Sequence, residues 1–340
     1  MKGRQILLDH LEGREAAALM VDGQLHDLLI DGDAPRPGTV YRAVTDRQVK
    51  GQGGVFLKTP DGAAYLRGVK GIEPGEMLHV QVTGYAEPGK AIPVSHKLLF
   101  KSRYAIVTPD APGLNLSRSI RDDDVRDALM LLAHEGMDGS EMGLILRSAS
   151  AEADPAEVAD DIAAMRQLAE DVTGDLVDTP ALLVEGDGPH VLAWRDWIEP
   201  ADIVTENGCF ESHGVMDALE MAQSVHVPLG EGASMYVEAT RALVAVDVNT
   251  GADGSFSAGL KANFACARSL PIALRVRGLG GQITIDLAPM PKKERRAFEA
   301  SLRTALRGDD VDTVMAGWTP LGHFELQRKR ARLPLSEVLG

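Results

Sequence analysis

Short apolar segments separated by turn residues dominate the first hundred positions. Gln5–Leu8, Ala16–Val21 and Gln24–Ile30 read as strands, with Asp22-Gly23 and Asp31-Gly32 as turn signals that place a hairpin among them. A proline-containing stretch, 34–38, marks a boundary. Five more β-type segments then follow at short intervals: Thr39–Val44, Gly54–Leu57, Ala63–Leu66, Met77–Thr83 and Ala91–Ser95. Five short strands in about 60 residues predict a small closed barrel, with an OB fold as the candidate.

The period then changes. Val125, Leu129 and Leu132 predict a helix over 121–136, capped by Asp122 or Asp123 and stopped at Gly136. Met142–Arg147 reads as a strand. Val158, Ile162, Met165, Leu168 and Val172 form an apolar stripe at helical spacing over 155–172. After the turn region 186–189, residues 201–340 read as one α/β unit. Its parts are a strand Ala242–Val248, a helix Ala258–Leu270, a strand Gln282–Leu287, a basic helix Lys292–Arg307 and a strand His323–Gln327. Pro271 is expected to break the helix before it or to begin a new one, because an interior proline costs about 3 kcal/mol. No repeat of fixed period occurs.

Composition narrows the class. The chain has 340 residues, enough for two or three domains, and its 44% hydrophobic and 25% charged content excludes a disordered, collagen-like or coiled-coil chain. No apolar run reaches membrane-spanning length, and charges interrupt the N-terminal stretch too early for a signal peptide. Cys209 and Cys266 make neither a disulfide framework nor a zinc knuckle. They read as small buried residues, and a reducing cytoplasm is the expected compartment. The net charge of −15 is uneven: residues 121–190 hold 18 acidic and 4 basic side chains, whereas 36–98 and 290–332 are each mildly basic. Two segments are thus open to a polyanion although the whole is acidic.

No P-loop, no GxGxxG after a strand, no GxSxG and no HExxH is present, and no histidine pair has metal-ligand spacing. What remains is carboxylates at strand ends. Asp247 follows Ala242-Leu243-Val244-Ala245-Val246, and Asp286 follows Ile283-Thr284-Ile285. A lone carboxylate buried among such neighbours costs several kcal/mol unless paired. Each either accepts backbone or arginine hydrogen bonds, or the two share a hard cation such as Mg²⁺, with Asn249 beside the first. Phe56 and Tyr65 fall on adjacent predicted strands near Lys58, Arg67 and Lys90. They are either barrel core or a base-stacking platform.

Three blocks in order resemble the ribonuclease E/G family: Asp247-Val248-Asn249-Thr250-Gly251, then Leu274-Arg275-Val276-Arg277-Gly278-Leu279-Gly280-Gly281-Gln282-Ile283-Thr284-Ile285-Asp286, then Gly322-His323-Phe324-Glu325-Leu326-Gln327-Arg328-Lys329-Arg330. The similarity extends upstream through Gly54-Val55-Phe56, Ala64-Tyr65-Leu66, Arg103-Tyr104, Leu116-Ser117-Arg118 and Gly143–Ala149. The resemblance implies an α+β, multidomain chain. An S1-like OB-fold β-barrel (36–98) is inserted in an RNase H-like subdomain (1–35 plus 173–213, trimmed by a short connection). A sensor of the RNA 5′ end (99–172) and a DNase I-like α/β catalytic domain (214–335) follow.

It further implies a Mg²⁺-dependent endoribonuclease, with Mn²⁺ as a substitute, that cuts single-stranded RNA to 5′-phosphate and 3′-hydroxyl ends in RNA processing or degradation. It would favour 5′-monophosphorylated RNA. Asp247 and Asp286 would bind the metal and Asn249 the scissile phosphate. Arg147 and Ser148 would hold a 5′-monophosphate; Phe56, Tyr65 and Lys90 would grip RNA; Arg118, Arg328 and Arg330 would add RNA contacts. The departures are also specific. The family's CPxC zinc-link is absent, so no zinc and no zinc-linked dimer is expected, leaving a monomer or a weak homo-oligomer. The helix that usually reads NLEAA is Asn263-Phe264-Ala265-Cys266-Ala267, without its glutamate. The alternative is a family member that binds RNA with weak or no cleavage.

Overall fold

The computed structural model describes residues 3–49, 53–69 and 71–339. The chain divides into two compact units, one made of Met1–Gly32 with Pro200–Gly340 and the other of Asp33–Glu199.

The second unit contains the expected closed barrel. Strands Val40–Val49, Gly54–Thr59, Gly62–Arg67, Ile92–Ser95 and Met77–Val82 follow one another around it, and the last pairs with the first. Alternation sends Tyr41, Val55, Leu57, Ala64, Leu66, Val80 and Val94 inward. This OB-like barrel fits the predicted strands almost segment for segment. Strand Ala181–Val184 adds to the edge at Val40–Val49. Residues 173–199, expected with 1–35, therefore lie with the barrel instead. A four-stranded sheet ordered Leu114–Leu116, Gly143–Leu146, Ala105–Thr108, Phe100–Lys101 completes this unit. Two helices, Asp123–Gly136 and Pro155–Thr173, share a core with it, including Leu129, Leu144, Val158 and Ile162. Asp122 and Asp154 cap those helices by accepting from Val125 and Ala156 backbone N–H groups.

In the first unit, strands Arg4–Leu11, Arg14–Val21 and Gln24–Ile30 form an antiparallel sheet, joined in parallel by Asp202–Val204. Beside it is a six-stranded sheet ordered His226–Gly230, Ala233–Ala239, Val244–Asn249, Gly281–Asp286, Phe324–Arg328, Thr313–Trp318. Its one parallel pairing joins Val244–Asn249 to Gly281–Asp286. A parallel pair needs a crossover, and helix Phe256–Val276 supplies it. That helix and helix Arg295–Arg307 cover one face, with Val246, Val248, Leu270, Ile283, Ile285, Phe298 and Phe324 in the core between.

The expected break at Pro271 does not occur. Helix Phe256–Val276 is continuous, with Pro271 buried inside it. Burial of its apolar face, from Ala262 through Leu274, offsets the one backbone bond that proline cannot make. Both cysteines are buried, and burial pushes the Cys209 and Cys266 thiols up to about 11 and about 12. Among the described residues no helix is long and apolar enough to cross a membrane.

Candidate active site and RNA interface

The parallel pairing sets Asp247 directly opposite Asp286. Both close runs in which alternate residues are core, and both project on the other face. The expectation that apolar neighbours bury them is therefore corrected. Val246, Val248, Ile283 and Ile285 point inward, and period-two geometry turns the aspartates outward. The Asp286 side chain is 66% exposed. No desolvation argument calls for a partner here. Proximity does: two carboxylates face each other on neighbouring strands in water.

Asn249 is two residues beyond Asp247 on the same face. Its Nδ2 donates to Asp247 Oδ2 at 2.7 Å, which orients the amide and leaves one N–H for another acceptor. His323 Nε2 stands 3.7 Å from Asp286 Oδ1. Among the described residues no set of three or more His, Cys, Asp or Glu side chains forms a metal cluster. Two exposed carboxylates suit a hard divalent cation that keeps most of its waters and takes further oxygens from a phosphate. Asp247 and Asp286 thus fit Mg²⁺ or Mn²⁺. A cleft of about 560 Å³ begins at Thr250, immediately after Asn249, and is lined by Glu231, Asp253, Lys261, Phe264 and Arg268 among others.

Residues outside the nominated set hold this arrangement. Asn263, fully buried, donates from Nδ2 to the Ala288 carbonyl at 2.8 Å and accepts the Ala288 N–H at 3.0 Å. That reciprocal pair fixes the backbone two residues after Asp286. Gly259 lets the same segment approach, since a Cβ there would sit 2.8 Å from the Pro289 carbonyl oxygen. An asparagine on the apolar side of a helix was the available signal. The hairpin His226–Gly230/Ala233–Ala239 was also missed, although Tyr236 on it is the register partner of Asp247.

On the barrel, Phe56 and Tyr65 face outward as cross-strand partners, with ring centroids 5.3 Å apart. Arg47 stacks over Phe56 at 5.1 Å. Gly54 makes room, because any side chain there would collide with the Tyr65 hydroxyl. Lys90 lies in the exposed loop entering strand Ile92–Ser95, next to Tyr65's strand, and pairs with Glu87 at 2.5 Å.

The other nominated cations divide. Arg118 is exposed. Arg330 is half-buried and folds across Gly281. Arg328 is corrected: only 1% of its side chain is exposed, and it donates to Asp309 at 2.6 Å and Thr313 at 2.8 Å. It alternates inward with Phe324 and Leu326, so it is a core ion pair and cannot meet RNA there. Arg147 is 17% exposed. Its Nη2 donates to Asp196 at 2.7 Å, and its Nη1 to the carbonyls of Ser102 (2.5 Å), Arg195 (3.1 Å) and Arg103 (3.3 Å). Lys101 and Arg195 converge on the same Asp196 carboxylate. Burial alone would raise that carboxyl, but Arg195 and Lys101 outweigh it and hold it far below the usual carboxylate range. Ser148 opens the short 3₁₀ turn that follows Arg147. A larger hollow of about 740 Å³, lined by Asp110, His134, Asp138 and Glu141, includes none of the nominated residues.

A sequence model of the ribonuclease E/G family matches residues 100–203 and 199–331. Ribonuclease G of Salmonella typhimurium is 26% identical, covering 98% of this chain and 81% of its own. Ribonuclease G of Haemophilus influenzae is 24% identical over 100% and 82%. Ribonuclease E of a Nostoc species is 23% identical over 99% of this chain and 57% of its own length.

Proposed function

This chain belongs to the ribonuclease E/G family, and on that premise we propose that it is a divalent-metal-dependent endoribonuclease acting on single-stranded RNA. The observation that carries the reading is the facing pair Asp247 and Asp286, with Asn249 on the same face. The outward Phe56–Tyr65 pair with Arg47 supports a single-stranded substrate, since every base has a face to stack and every linkage a charge to meet.

Asp247 and Asp286 would hold Mg²⁺ or Mn²⁺. Such an ion, when bound, supplies a polarised water and charge stabilisation at the phosphate. The chain's own residues do the rest. Asn249, oriented by Asp247, points its second N–H at a phosphate oxygen and fixes the phosphodiester for in-line attack. Water adds to phosphorus, the bond to the 3′ oxygen breaks, and the products are a 5′-phosphate and a 3′-hydroxyl. His323 beside Asp286 is placed to steady that carboxylate or to pass a proton to solvent. Arg147, whose Nη1 and Nη2 are engaged by three carbonyls and Asp196, and Ser148 form the candidate contact for a 5′-monophosphate.

The test is a short A/U-rich RNA with a 5′-monophosphate or a 5′-hydroxyl. Cleavage is expected to need Mg²⁺, to fall about 10²–10³-fold in Asp247→Asn and Asp286→Asn, and to be faster on the monophosphate. Full cleavage in EDTA or in the double variant would overturn the metal role. Equal rates on both ends would remove the 5′-end preference alone.

A further inference from the structure

Tryptophan is normally among the most buried residues by area. Trp194, on helix Pro189–Asp196, leaves 51% of its surface in solvent, whereas Trp197 one turn on is 4% exposed. The exposed indole is held in place. Arg103 donates to the Trp194 carbonyl and sets its guanidinium 5.2 Å from the indole and 5.9 Å from the Tyr104 ring. Tyr104 meets the indole edge-on at 6.4 Å, and its hydroxyl donates to Glu157 at 3.0 Å. The strip is also tied to the Arg147 cluster. Arg147 donates to the carbonyls of Arg103 and of Arg195, the neighbour of Trp194, and the Arg147 N–H donates to the Tyr104 carbonyl at 2.8 Å.

We propose that Trp194, Arg103 and Tyr104 form a binding site for one unpaired base of single-stranded RNA, adjoining Arg147 and Ser148. The proposal rests on the single-stranded RNA reading above and not on the 5′-monophosphate preference. A fixed indole presents a π-face to a base, and an arginine beside it adds attraction to both ring and phosphate. Charge favours this occupant through Arg103, whose guanidinium lies beside both rings, whereas Lys101, Arg147 and Arg195 nearby are paired with Asp196 and Asp187. Size favours it too. The exposed apolar neighbour on the helix is Val191, and one indole with one valine is far below the roughly 800 Å² a side of a stable protein interface.

The experiment uses the full chain in EDTA, with a fluorescent oligo(U) and an abasic ribose-phosphate chain of equal length. Binding of oligo(U) is expected to quench tryptophan emission, and Trp194→Phe to abolish the quenching while keeping affinity within about threefold. Trp194→Ala should weaken oligo(U) binding about 5–50-fold and leave abasic-chain binding unchanged. Circular dichroism and thermal midpoint confirm that each variant folds. Oligo(U) binding with quenching that persists in Trp194→Phe, or with equal affinity in Trp194→Ala, would overturn the base site while leaving RNA binding intact. Equal losses on both ligands would assign the residue to structure and overturn stacking. A concentration-dependent blue shift without RNA would assign the indole to self-association. If the wild-type chain binds neither ligand at low salt, the RNA reading itself fails, and this site with it.

Discussion

The two faces of the six-stranded sheet use the same residue types for opposite ends. On the covered face, Arg328 extends the row Phe324–Leu326, and Asp309 closes on it and on Arg275 at 2.6 and 2.8 Å. Both Arg328 and Asp309 have side chains 1% exposed. On the open face, Asp247 and Asp286 stand opposite each other, and among the described residues no arginine pairs with either. A carboxylate sealed with cations is fixed and spent. One left in water beside another keeps its lone pairs for an ion or a substrate. Burial decides which use a charge has, and strand parity decides burial.

Removing the sealed partner should have the largest effect. Asp309→Ala takes the carboxylate from Arg328, which already has buried Nε and Nη2 atoms without partners, and leaves Arg275 only Asp27 and the His26 carbonyl; it is expected to cost about 3–5 kcal/mol by urea denaturation. Stability within 1 kcal/mol of wild type would break the contrast. The mirror experiment is Asp247→Asn, expected to lose about 10²–10³ in cleavage while its unfolding free energy changes by no more than about 0.5 kcal/mol. Asn263→Ala tests a residue inside the core that acts on the open face. Leaving the Ala288 N–H and carbonyl unpaired should cost about 1–3 kcal/mol, with a lower kcat at unchanged KM. An unaltered kcat would confine Asn263 to stability. The smallest effect carries the contrast to the barrel. Phe56→Ala should weaken oligo(U) binding about five- to tenfold in an equilibrium titration, with little change in stability, because Phe56 faces out while Leu57 beside it faces in.

Much of this is legible in the amino-acid sequence. The barrel strands and the two capped helices were visible as period and turn residues, whereas Asp247 and Asp286 were visible only as carboxylates closing apolar strands and were grouped with Asn249 into a site by the family resemblance. What misled was treating apolar neighbours in a strand as evidence of burial. Val246 and Val248 define the inward parity, so Asp247 and Asn249 had to face out. Phe324 and Leu326 likewise put Arg328 inside. Other features depend on distant pairings that local pattern does not carry. Strand Asp202–Val204 joins Gln5–Leu7 across nearly two hundred residues, and strand Ala181–Val184 joins the barrel. Trp194 sits in a segment whose only local signal was a proline-glycine turn, so neither its helix nor its exposure stood out.

The crossover between the two aspartate strands has a consequence for synthesis. The five strands that close the barrel come from residues 40–95, so the barrel is complete early in translation. The carboxylate pair requires strand Gly281–Asp286 to dock beside Val244–Asn249 with helix Phe256–Val276 packed behind them. Strands within 4–30, made first, wait for residues 200–223 and then for Val276, Leu335 and Val338 before their own core closes. Because domains fold as units and non-local pairings form late, a growing chain can close the barrel that carries Phe56 and Tyr65 well before it can set Asp247 opposite Asp286. The two halves of the proposed site are thus made in a fixed order, the aromatic pair first and the carboxylate pair last.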